Sequence, residues 1–304
     1  MRRNFYITTR GVEVSRKGNS IAIGEQKFPI SMIHTLFLFP GVKITEGARN
    51  LLLTNGRPIV FMSRGYKCYG ILLPELYQSS TTLRLLQYQH REDLEFAKLL
   101  VQLKIESIQQ VTGLSMEIQL LKVKEAYTFE QLLGMEGNVS NMMFKAFEKR
   151  LKGETGFKGS FKRSYNPPLD EINGLLSFLY TLYYSYLLPQ LVVEGFDPYV
   201  GFLHRRRGRH AILVSDVMEE ARPYLTFLAI PIYKEIYPEG FSSKLYLTPE
   251  GRKVALRHFE QFLERFEPRA VKELKKILLK KREWKSERVE QDEYASFCHR
   301  TKII

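Results

Sequence analysis

The sequence predicts an α+β protein, in which a small N-terminal β-sandwich-like domain is followed by a larger all-α domain. Over the first seventy or so residues, apolar side chains alternate with period two, and glycine or proline separates the short runs. From Leu83 onward, apolar residues recur every three or four positions, which is the helical period. The predicted boundaries are 1–76 for the β domain, 77–83 for a linker and 84–304 for the helical domain.

Short alternating runs predict the strands of the first domain. Between two of them, ITEGARNLLLTNG predicts a short helix that ends at Asn55-Gly56. The polar run 77–82 is typical of a connection between domains. The predicted strands lie in FYITTRG, VEVSRKGN, SIAIGEQKFPI, HTLFLFPG and RPIVFMSRGYKCYGILL.

Helical periodicity covers most of the remaining chain. It begins with LRLLQYQHREDLEFAKLLVQLKIESIQQV and continues over 115–150, 170–193, 216–238 and 249–288. The stretch 172–193 carries no charged side chain and raises the alternative of a membrane span. Its proline, its asparagine and its four tyrosines instead favour a buried helix of a large α-helical domain.

Charge is concentrated at the two ends of the chain. Residues 1–75 hold 11 basic and 4 acidic side chains, and residues 251–304 hold 15 basic and 9 acidic ones, while the middle is neutral. This asymmetry favours a polyanionic partner, although a merely soluble basic protein remains an alternative. The nine basic side chains of 269–288 likewise fit a solvated helix face or a surface that follows phosphates.

The cysteines and the N-terminus indicate a compartment. Cys68 and Cys298 are far apart in sequence and form no disulfide framework, which fits a reducing environment. No apolar segment follows the N-terminal Met-Arg-Arg, so we expect no secretory signal. Together these features predict a cytoplasmic protein.

Three segments carry polar groups that suit a divalent cation. Glu136 follows an apolar run, and His204 opens into a run of arginines. Asp216, Glu219 and Glu220 are spaced to share one helix face. Carboxylates with one imidazole suit Mg²⁺ or Mn²⁺ better than Zn²⁺, which more often recruits additional histidine or cysteine. Such an ion would activate a hydroxyl nucleophile in phosphodiester chemistry.

Each of these residues also has a structural interpretation. Asp216 and Glu219 have the spacing of a helix capping box, with Asp216 at the N-cap. Glu136 fits an exposed helix position, and His204 fits a half-buried histidine with satisfied hydrogen bonds. The segments are too far apart in sequence for spacing to prove that they converge, so from the residues alone the metal site is a hypothesis.

The ordered motifs resemble the CRISPR-associated adaptation integrase/endonuclease family, the first-numbered Cas proteins. The similarity runs from near residue 5 to about residue 265. It rests on motifs in a fixed order, which chance is very unlikely to produce. They are GMEGN at 134–138, NPPLDEIN at 166–173, LLSF at 175–178, YTL at 180–182, GFDP at 195–198, GFLH at 201–204, DVMEE at 216–220 and RP at 222–223.

The resemblance implies roles for particular residues. Glu136, His204 and Glu219 would be both catalytic residues and ligands of Mg²⁺ or Mn²⁺, with Glu220 as a less favoured substitute for Glu219. Asp216 would support the metal site, and Asn173 and Tyr180 would orient groups near it. The DNA-contacting residues, expected from charge and position rather than from a motif, are Arg163, Arg205 and Arg209.

The resemblance also implies a function and an architecture. Family members have an N-terminal β-sandwich and a helical catalytic domain, and they dimerise through the β domain. They assemble with a small second-numbered CRISPR-associated protein and act on double-stranded and branched DNA. They insert short fragments into the CRISPR array by attack of a 3′-hydroxyl on a repeat-boundary phosphodiester, and they can also act as nucleases in this antiviral defence. A stand-alone metal nuclease for branched DNA and a non-catalytic DNA-binding scaffold remain alternatives.

Overall fold

The computed structural model describes residues 3–63, 67–74, 81–165, 167–205 and 210–281. Two sheets form the N-terminal part, and helices form nearly all of the remainder, so the α+β prediction is confirmed. The first sheet contains β1 (Arg3–Ile7), β5 (Ile33–Leu38), β7 (Ile59–Met62) and β8 (Cys68–Leu72), in the order β1-β5-β7-β8. The second contains β2 (Glu13–Lys17), β3 (Ser20–Ile23), β4 (Gln26–Pro29) and β6 (Lys43–Ile44), in the order β4-β3-β2-β6.

Strand β5 is buried on both faces and organises the first sheet. It pairs in parallel with β1 and β7, whereas β7 and β8 are antiparallel. Leu36 and Leu38 pack into a core shared with the second sheet and with α1 (Glu46–Thr54), while Phe37 and Phe39 pack on the opposite face. The continuous apolar run of this strand is therefore explained by burial on two sides.

Short local motifs set the ends of α1. The Thr45 hydroxyl accepts a hydrogen bond from the Ala48 backbone at 3.3 Å and caps the helix. Asn55 is the C-cap, and Gly56 has a φ of 70°, a left-handed conformation that favours glycine. The predicted helix and its end at Asn55-Gly56 are confirmed. A short 3₁₀ turn, Ile30–Met32, precedes β5.

Helices account for most of the chain from Thr81 onward, and one apolar core joins them. They are α2 (Thr81–Gln89), α3 (Leu94–Thr112), α4 (Glu117–Glu125), α5 (Phe129–Thr155), α6 (Glu171–Val193), α7 (Ile212–Met218), α8 (Arg222–Ile236), α9 (Pro249–Arg265) and α10, which covers 270–281. The helical pattern over 115–150 contains two helices, α4 and α5, and Thr128 and Gln131 form a capping box that starts α5.

Helix α6 contains the uncharged stretch 172–193, which raised the question of a membrane span. Its residues are buried against neighbouring helices for most of its length, and α6 contacts α7 and α8. Asp170 caps its first turn by accepting a hydrogen bond from the Asn173 backbone at 2.7 Å. Across the described ranges, no helix has the length and apolarity needed to cross a bilayer. The buried-helix prediction agrees with this packing.

The first sheet packs directly on the helical part. Tyr6 stacks on Phe37 at a ring-centroid distance of 4.6 Å and meets the edge of Phe259 from α9. The Cys68 backbone donates a hydrogen bond to the Ser185 hydroxyl of α6 at 3.2 Å. The linker predicted at 77–83 lies largely outside the described residues, and the division into two domains stays a prediction.

Candidate active site

The polar residues singled out from the sequence lie where α3, α5, α6 and α8 pack together. These helices contact one another in the pairs α3 and α5, α3 and α8, α5 and α8, and α6 and α8. Glu136 lies in α5, and Asp216 lies in α7. Glu219 lies in the turn between α7 and α8, and His204 lies in the segment that precedes α7. The packing of α5 against α8 therefore brings Glu136 towards residues 204–219, which lie more than sixty positions later in the sequence.

Asp216 anchors the segment that carries His204. Its side chain is fully buried, and its carboxylate accepts hydrogen bonds from the backbone of Phe202 at 2.7 Å, Leu203 at 2.9 Å and His204 at 3.1 Å. The same carboxylate accepts a hydrogen bond from His204 Nδ1 at 2.7 Å. Because Nδ1 is engaged in this way, Nε2 is the nitrogen left to bind a ligand.

The capping-box interpretation of Asp216 is wrong. Asp216 lies inside α7, which begins at Ile212, and its carboxylate turns away from the helix to bind 202–204. Gly201 makes this approach feasible, since a Cβ there would lie 2.6 Å from Asp216 Oδ2 and 2.4 Å from Ile212 Cγ2. The glycine of the GFLH motif thus has a steric role in placing the histidine.

A buried lysine connects two of the predicted ligands. Lys104 of α3 is 2% exposed, and its ammonium contacts Glu219 Oε2 at 2.6 Å and Glu136 Oε1. Glu136 also accepts a hydrogen bond from the Ser140 hydroxyl at 2.9 Å. Burial lowers the pKa of Lys104, but the charges of Glu219 and Glu136 outweigh this effect, and the net pKa lies above its ordinary value.

Glu219 is held between two cations. Arg222 Nε lies 2.9 Å from Glu219 Oε1 as an ionic contact rather than an aligned hydrogen bond, and Lys104 binds the other oxygen. Burial raises the pKa of Glu219, but the charges of Arg222 and Lys104 reverse this, so the net pKa lies below the ordinary value. Both oxygens of Glu219 therefore face a cationic side chain.

The His204 imidazole responds to the same carboxylates. Burial lowers the pKa of His204. The hydrogen bond to Asp216 and the charges of Asp216, Glu219 and Glu136 outweigh this effect, so the net pKa lies above its ordinary value. The rise in the pKa of His204 thus comes chiefly from Asp216, which also fixes the position of the ring.

Glu219 and Glu220 do not share a face, contrary to the expectation from their spacing. The helix α7 ends at Met218, and the two side chains point to different partners. The Glu220 carboxylate accepts hydrogen bonds from the backbone of Arg269 and from that of Ala270, each at 2.9 Å, where α10 begins. It also pairs with Arg269 Nε at 3.2 Å. Glu220 thus caps α10, which disfavours it as a substitute for Glu219.

Tyr180 lies between two arginines. Its ring is 5.4 Å from Arg163 Cζ and 5.4 Å from Arg222 Cζ, and its hydroxyl hydrogen-bonds with Thr226 at 2.6 Å. Such cation–π contacts orient guanidinium groups. Because the ring is 9% exposed and its hydroxyl is engaged, Tyr180 fits the predicted orienting role better than that of a base.

Asn173, in the first turn of α6, fixes the position of Arg163. Its side-chain oxygen accepts hydrogen bonds from Arg163 Nη1 at 3.0 Å and from the Ser164 backbone at 2.9 Å. Its amide group donates to the Lys162 carbonyl and to Asp170 Oδ2, each at 2.9 Å. Asn173 therefore acts on the loop that carries Arg163 rather than on the carboxylates.

The predicted DNA-contacting arginines have different environments. Arg163 is half-buried and donates to the Ser177 hydroxyl at 3.1 Å. Arg205 is 53% exposed, binds both carboxylate oxygens of Glu92 at 2.9 and 2.7 Å, and stacks over the Phe129 ring. Arg209 lies outside the described residues.

The chemistry of the donor set fits a hard divalent cation, although its members do not yet surround an open position. Glu136, Glu219 and His204 Nε2 offer two oxygens and one nitrogen. Within the ranges described, no three His, Cys, Asp or Glu side chains are arranged as a ready metal site. The Lys104 ammonium contacts one oxygen of each glutamate, so an ion bound by both carboxylates would lie close to this positive charge.

Sequence reasoning missed Lys104, although a signal was present. Leu100, Leu103, Ile105 and Ile108 are all buried in α3, and Lys104 follows Leu100 and precedes Ile108 by one helical turn. A lysine on an apolar helix face needs a buried carboxylate partner. That rule alone would have identified Lys104 as a partner of the acidic residues.

Comparison with known proteins extends the resemblance seen in the motifs. Residues 5–261 match the family described as CRISPR associated protein Cas1. The CRISPR-associated endonuclease Cas1 of Methanopyrus kandleri is 28% identical to this chain over 274 residues, which cover 84% of this chain and 80% of that protein.

Solved structures share the fold. A CAS1 protein from Thermotoga maritima aligns with a TM-score of 0.72 at 23% identity and covers 91% of this chain and 95% of its own. A casposase bound to integration product aligns with a TM-score of 0.66 at 19% identity, with 85% and 82% covered. A chain of a Cas6-RT-Cas1–Cas2 complex aligns with a TM-score of 0.68 at 20% identity, with 92% of this chain and 35% of that chain covered.

The family match is not limited to one motif. It spans both sheets, the helix that carries Glu136, and the segments on either side of α7 that carry His204 and Glu219. The chain therefore belongs to the CRISPR-associated Cas1 family.

Proposed function

We propose that this chain is a metal-dependent DNA endonuclease and integrase of CRISPR adaptation, which inserts short DNA fragments into a CRISPR array. The observation that carries the proposal is the meeting of Glu136 and Glu219 at the Lys104 ammonium, in a Cas1-family chain in which Asp216 holds His204 by both its backbone and its ring. The M. kandleri relative is named an endonuclease, and the casposase of similar fold is bound to an integration product.

In this proposal Glu136, Glu219 and His204 Nε2 hold Mg²⁺ or Mn²⁺. When bound, the ion lowers the pKa of a hydroxyl or water nucleophile and stabilises charge on the attacked phosphate. Asp216 keeps His204 Nδ1 protonated and the ring oriented, so that Nε2 faces the ion. Availability and the ligand types favour Mg²⁺ or Mn²⁺ over softer ions.

The chain's own cations would hold the substrate beside this acidic set. Arg163 and Arg222 lie on either side of the Tyr180 ring and offer guanidinium groups for phosphate. Arg205 adds an exposed guanidinium near α2 and α5. Attack of a DNA 3′-hydroxyl on a phosphodiester held beside the ion would give strand transfer, whereas attack of water on the same phosphodiester would give hydrolysis.

The proposed assembly consists of double-stranded or branched DNA, a homodimer formed through the β domain, and a Cas2 partner. The complex of a similar fold that contains Cas1 and Cas2 supports the last of these. The proposed location is the cytoplasm, which fits a DNA substrate and the two widely separated cysteines. The excess of basic residues at the two ends of the chain fits a polyanionic substrate.

Strand transfer of a labelled 3′-hydroxyl DNA fragment into a plasmid with a repeat tests the proposal. The assay includes Cas2 and compares EDTA, Mg²⁺ and Mn²⁺. We expect ion-dependent joining in the wild type and in His258→Ala, but not in His204→Ala. His258 is a matched control because its Nε2 pairs with Glu235 at 2.9 Å, and neither residue belongs to the proposed site.

Two results would replace the proposal with another function. Cutting of branched DNA with no joining under any condition would indicate a stand-alone nuclease. DNA binding by the wild type with neither joining nor cutting, with every ion tried, would indicate a non-catalytic scaffold.

A further inference from the structure

Lys104 is a buried cation at the centre of the proposed ion site. Its side chain is 2% exposed, and apolar residues of α3 surround its position in the helix. An ammonium group in such a place is stable only when carboxylates compensate for the water it has lost. Glu136 and Glu219 supply this compensation from two other parts of the chain.

The ammonium and a divalent ion would require the same carboxylates. Lys104 occupies Glu136 Oε1 and Glu219 Oε2, while the second oxygen of Glu219 faces Arg222. Two positive charges at hydrogen-bond distance from the same carboxylates repel each other strongly where water is excluded. Binding of the ion therefore requires the ammonium to give up at least part of these contacts.

Glu136 depends on Lys104 more than Glu219 does. Glu219 has Arg222 as a second cationic partner, whereas Lys104 is the only cation that pairs with Glu136 among the residues that the structure describes. Loss of the lysine charge would leave Glu136 facing Glu219 without a cation shared between them. Like charges so placed destabilise the protein until another cation binds.

We propose that Lys104 is an internal counter-cation, which binds both proposed glutamate ligands and competes with the divalent ion for them. The inference rests on the proposed function, since it takes Glu136 and Glu219 to be ligands. Lys104 is a positioning residue: it holds the two carboxylates together before the ion arrives and lowers the affinity for the ion. Ion binding then exchanges one cation for another instead of filling an empty acidic pocket.

Mn²⁺ binding by Lys104→Met tests this exchange. Methionine is unbranched and similar in length to lysine but carries no charge. The Kd is measured by electron paramagnetic resonance of free Mn²⁺, and the Tm is measured in EDTA and in Mn²⁺. Lys98→Met is the matched control, because Lys98 lies on the same helix and donates to the Lys124 carbonyl at 2.7 Å rather than to a carboxylate.

We expect Lys104→Met to bind Mn²⁺ about tenfold more tightly than the wild type, because the competing charge is gone. Its Tm should fall in EDTA and recover with Mn²⁺, so that the ion-induced rise in Tm exceeds that of the wild type and of Lys98→Met. An unchanged or weaker Mn²⁺ affinity would overturn the proposal. A purely structural lysine would lower the Tm equally with and without the ion.

A second variant covers the case in which Lys104→Met does not fold without the ion. Lys104→Met combined with Glu136→Gln removes both charges, so the double variant should fold in EDTA. Failure of the double variant to fold would assign Lys104 a packing role and overturn the proposal. If the wild type itself binds no Mn²⁺, the ion site of the proposed function fails; if it binds and Lys104→Met binds equally, only the role of Lys104 fails.

Discussion

Asp216 holds both the backbone and the ring of His204. One of its oxygens accepts from the His204 backbone at 3.1 Å and from Nδ1 at 2.7 Å, while the other accepts from Phe202 and Leu203. This carboxylate therefore determines where the histidine lies and which of its nitrogens is free. Asp216, which is not a proposed ligand of the ion, thus controls the position of His204, which is one.

We predict that Asp216→Asn weakens Mn²⁺ binding about 10- to 100-fold, because the amide is a poorer partner for Nδ1. It should also lower the free energy of unfolding by about 1–3 kcal/mol, since its NH₂ group meets backbone donors. Mn²⁺ titration and urea unfolding measure the two effects. Asp197→Asn is the control, because Asp197 also accepts from a backbone amide and a side chain, at 2.8 and 2.7 Å, but has no contact with His204. Equal Mn²⁺ affinities in the two variants would contradict the role given to Asp216.

Tyr180 offers a test of orientation against proton transfer. Tyr180→Phe keeps the ring between Arg163 and Arg222 and loses only the hydrogen bond to Thr226, so we expect near-wild-type strand transfer and a stability loss of about 1 kcal/mol. Tyr180→Ala removes the ring and should lower both activity and DNA affinity. A loss of activity in Tyr180→Phe as large as in Tyr180→Ala would make the hydroxyl, rather than the ring, the functional group.

The exposed pair of Arg205 and Glu92 predicts a variant with tighter DNA binding. The Glu92 carboxylate engages the Arg205 guanidinium through both oxygens and competes with phosphate for it. Glu92→Gln should therefore increase DNA affinity by a few-fold at low salt and steepen its salt dependence, because one more cation neutralises a phosphate. Fluorescence anisotropy over a salt series measures both effects.

A matched change elsewhere checks that this gain is local. Glu235→Gln removes another exposed carboxylate, which pairs with Arg257 and with His258 at 2.9 Å. If both variants bind DNA equally more tightly than the wild type, overall charge explains the gain and Arg205 has no special part in it.

Local sequence signals predicted the elements well but not the direction of each side chain. Alternation and helical periodicity placed the sheets and helices, and the Asn55-Gly56 end of α1 followed from turn chemistry. The spacing of Asp216, Glu219 and Glu220 suggested one shared face, but α7 ends between them. Their directions depend on tertiary contacts with 202–204, α3 and α10, which no local pattern contains.

The site shows the same limit. Glu136, His204 and Glu219 followed from motif resemblance, whereas Lys104 and its place between two of them depend on the packing of α3 against α5 and α8. The only sequence signal for Lys104 is the general rule that a lysine on an apolar helix face needs a carboxylate partner. Which carboxylates are available is a property of the folded chain.

The adjacent residues Glu219 and Glu220 allow the sharpest separation of function from stability. Both side chains are almost fully buried, and both bind cations or backbone donors, yet they face different parts of the protein. Glu219→Gln should abolish ion-dependent strand transfer and weaken Mn²⁺ binding by at least about tenfold, because it removes an anionic ligand. Glu220→Gln should retain Mn²⁺ affinity and lose about 1–2 kcal/mol of stability, since it weakens the cap of α10 and the pair with Arg269. Strand transfer, Mn²⁺ titration and urea unfolding on the same preparations measure these effects. The opposite pattern, with Mn²⁺ binding lost in Glu220→Gln and kept in Glu219→Gln, would make Glu220 the ligand. The Glu220 carboxylate would then have to leave the backbone of α10 in order to bind the ion.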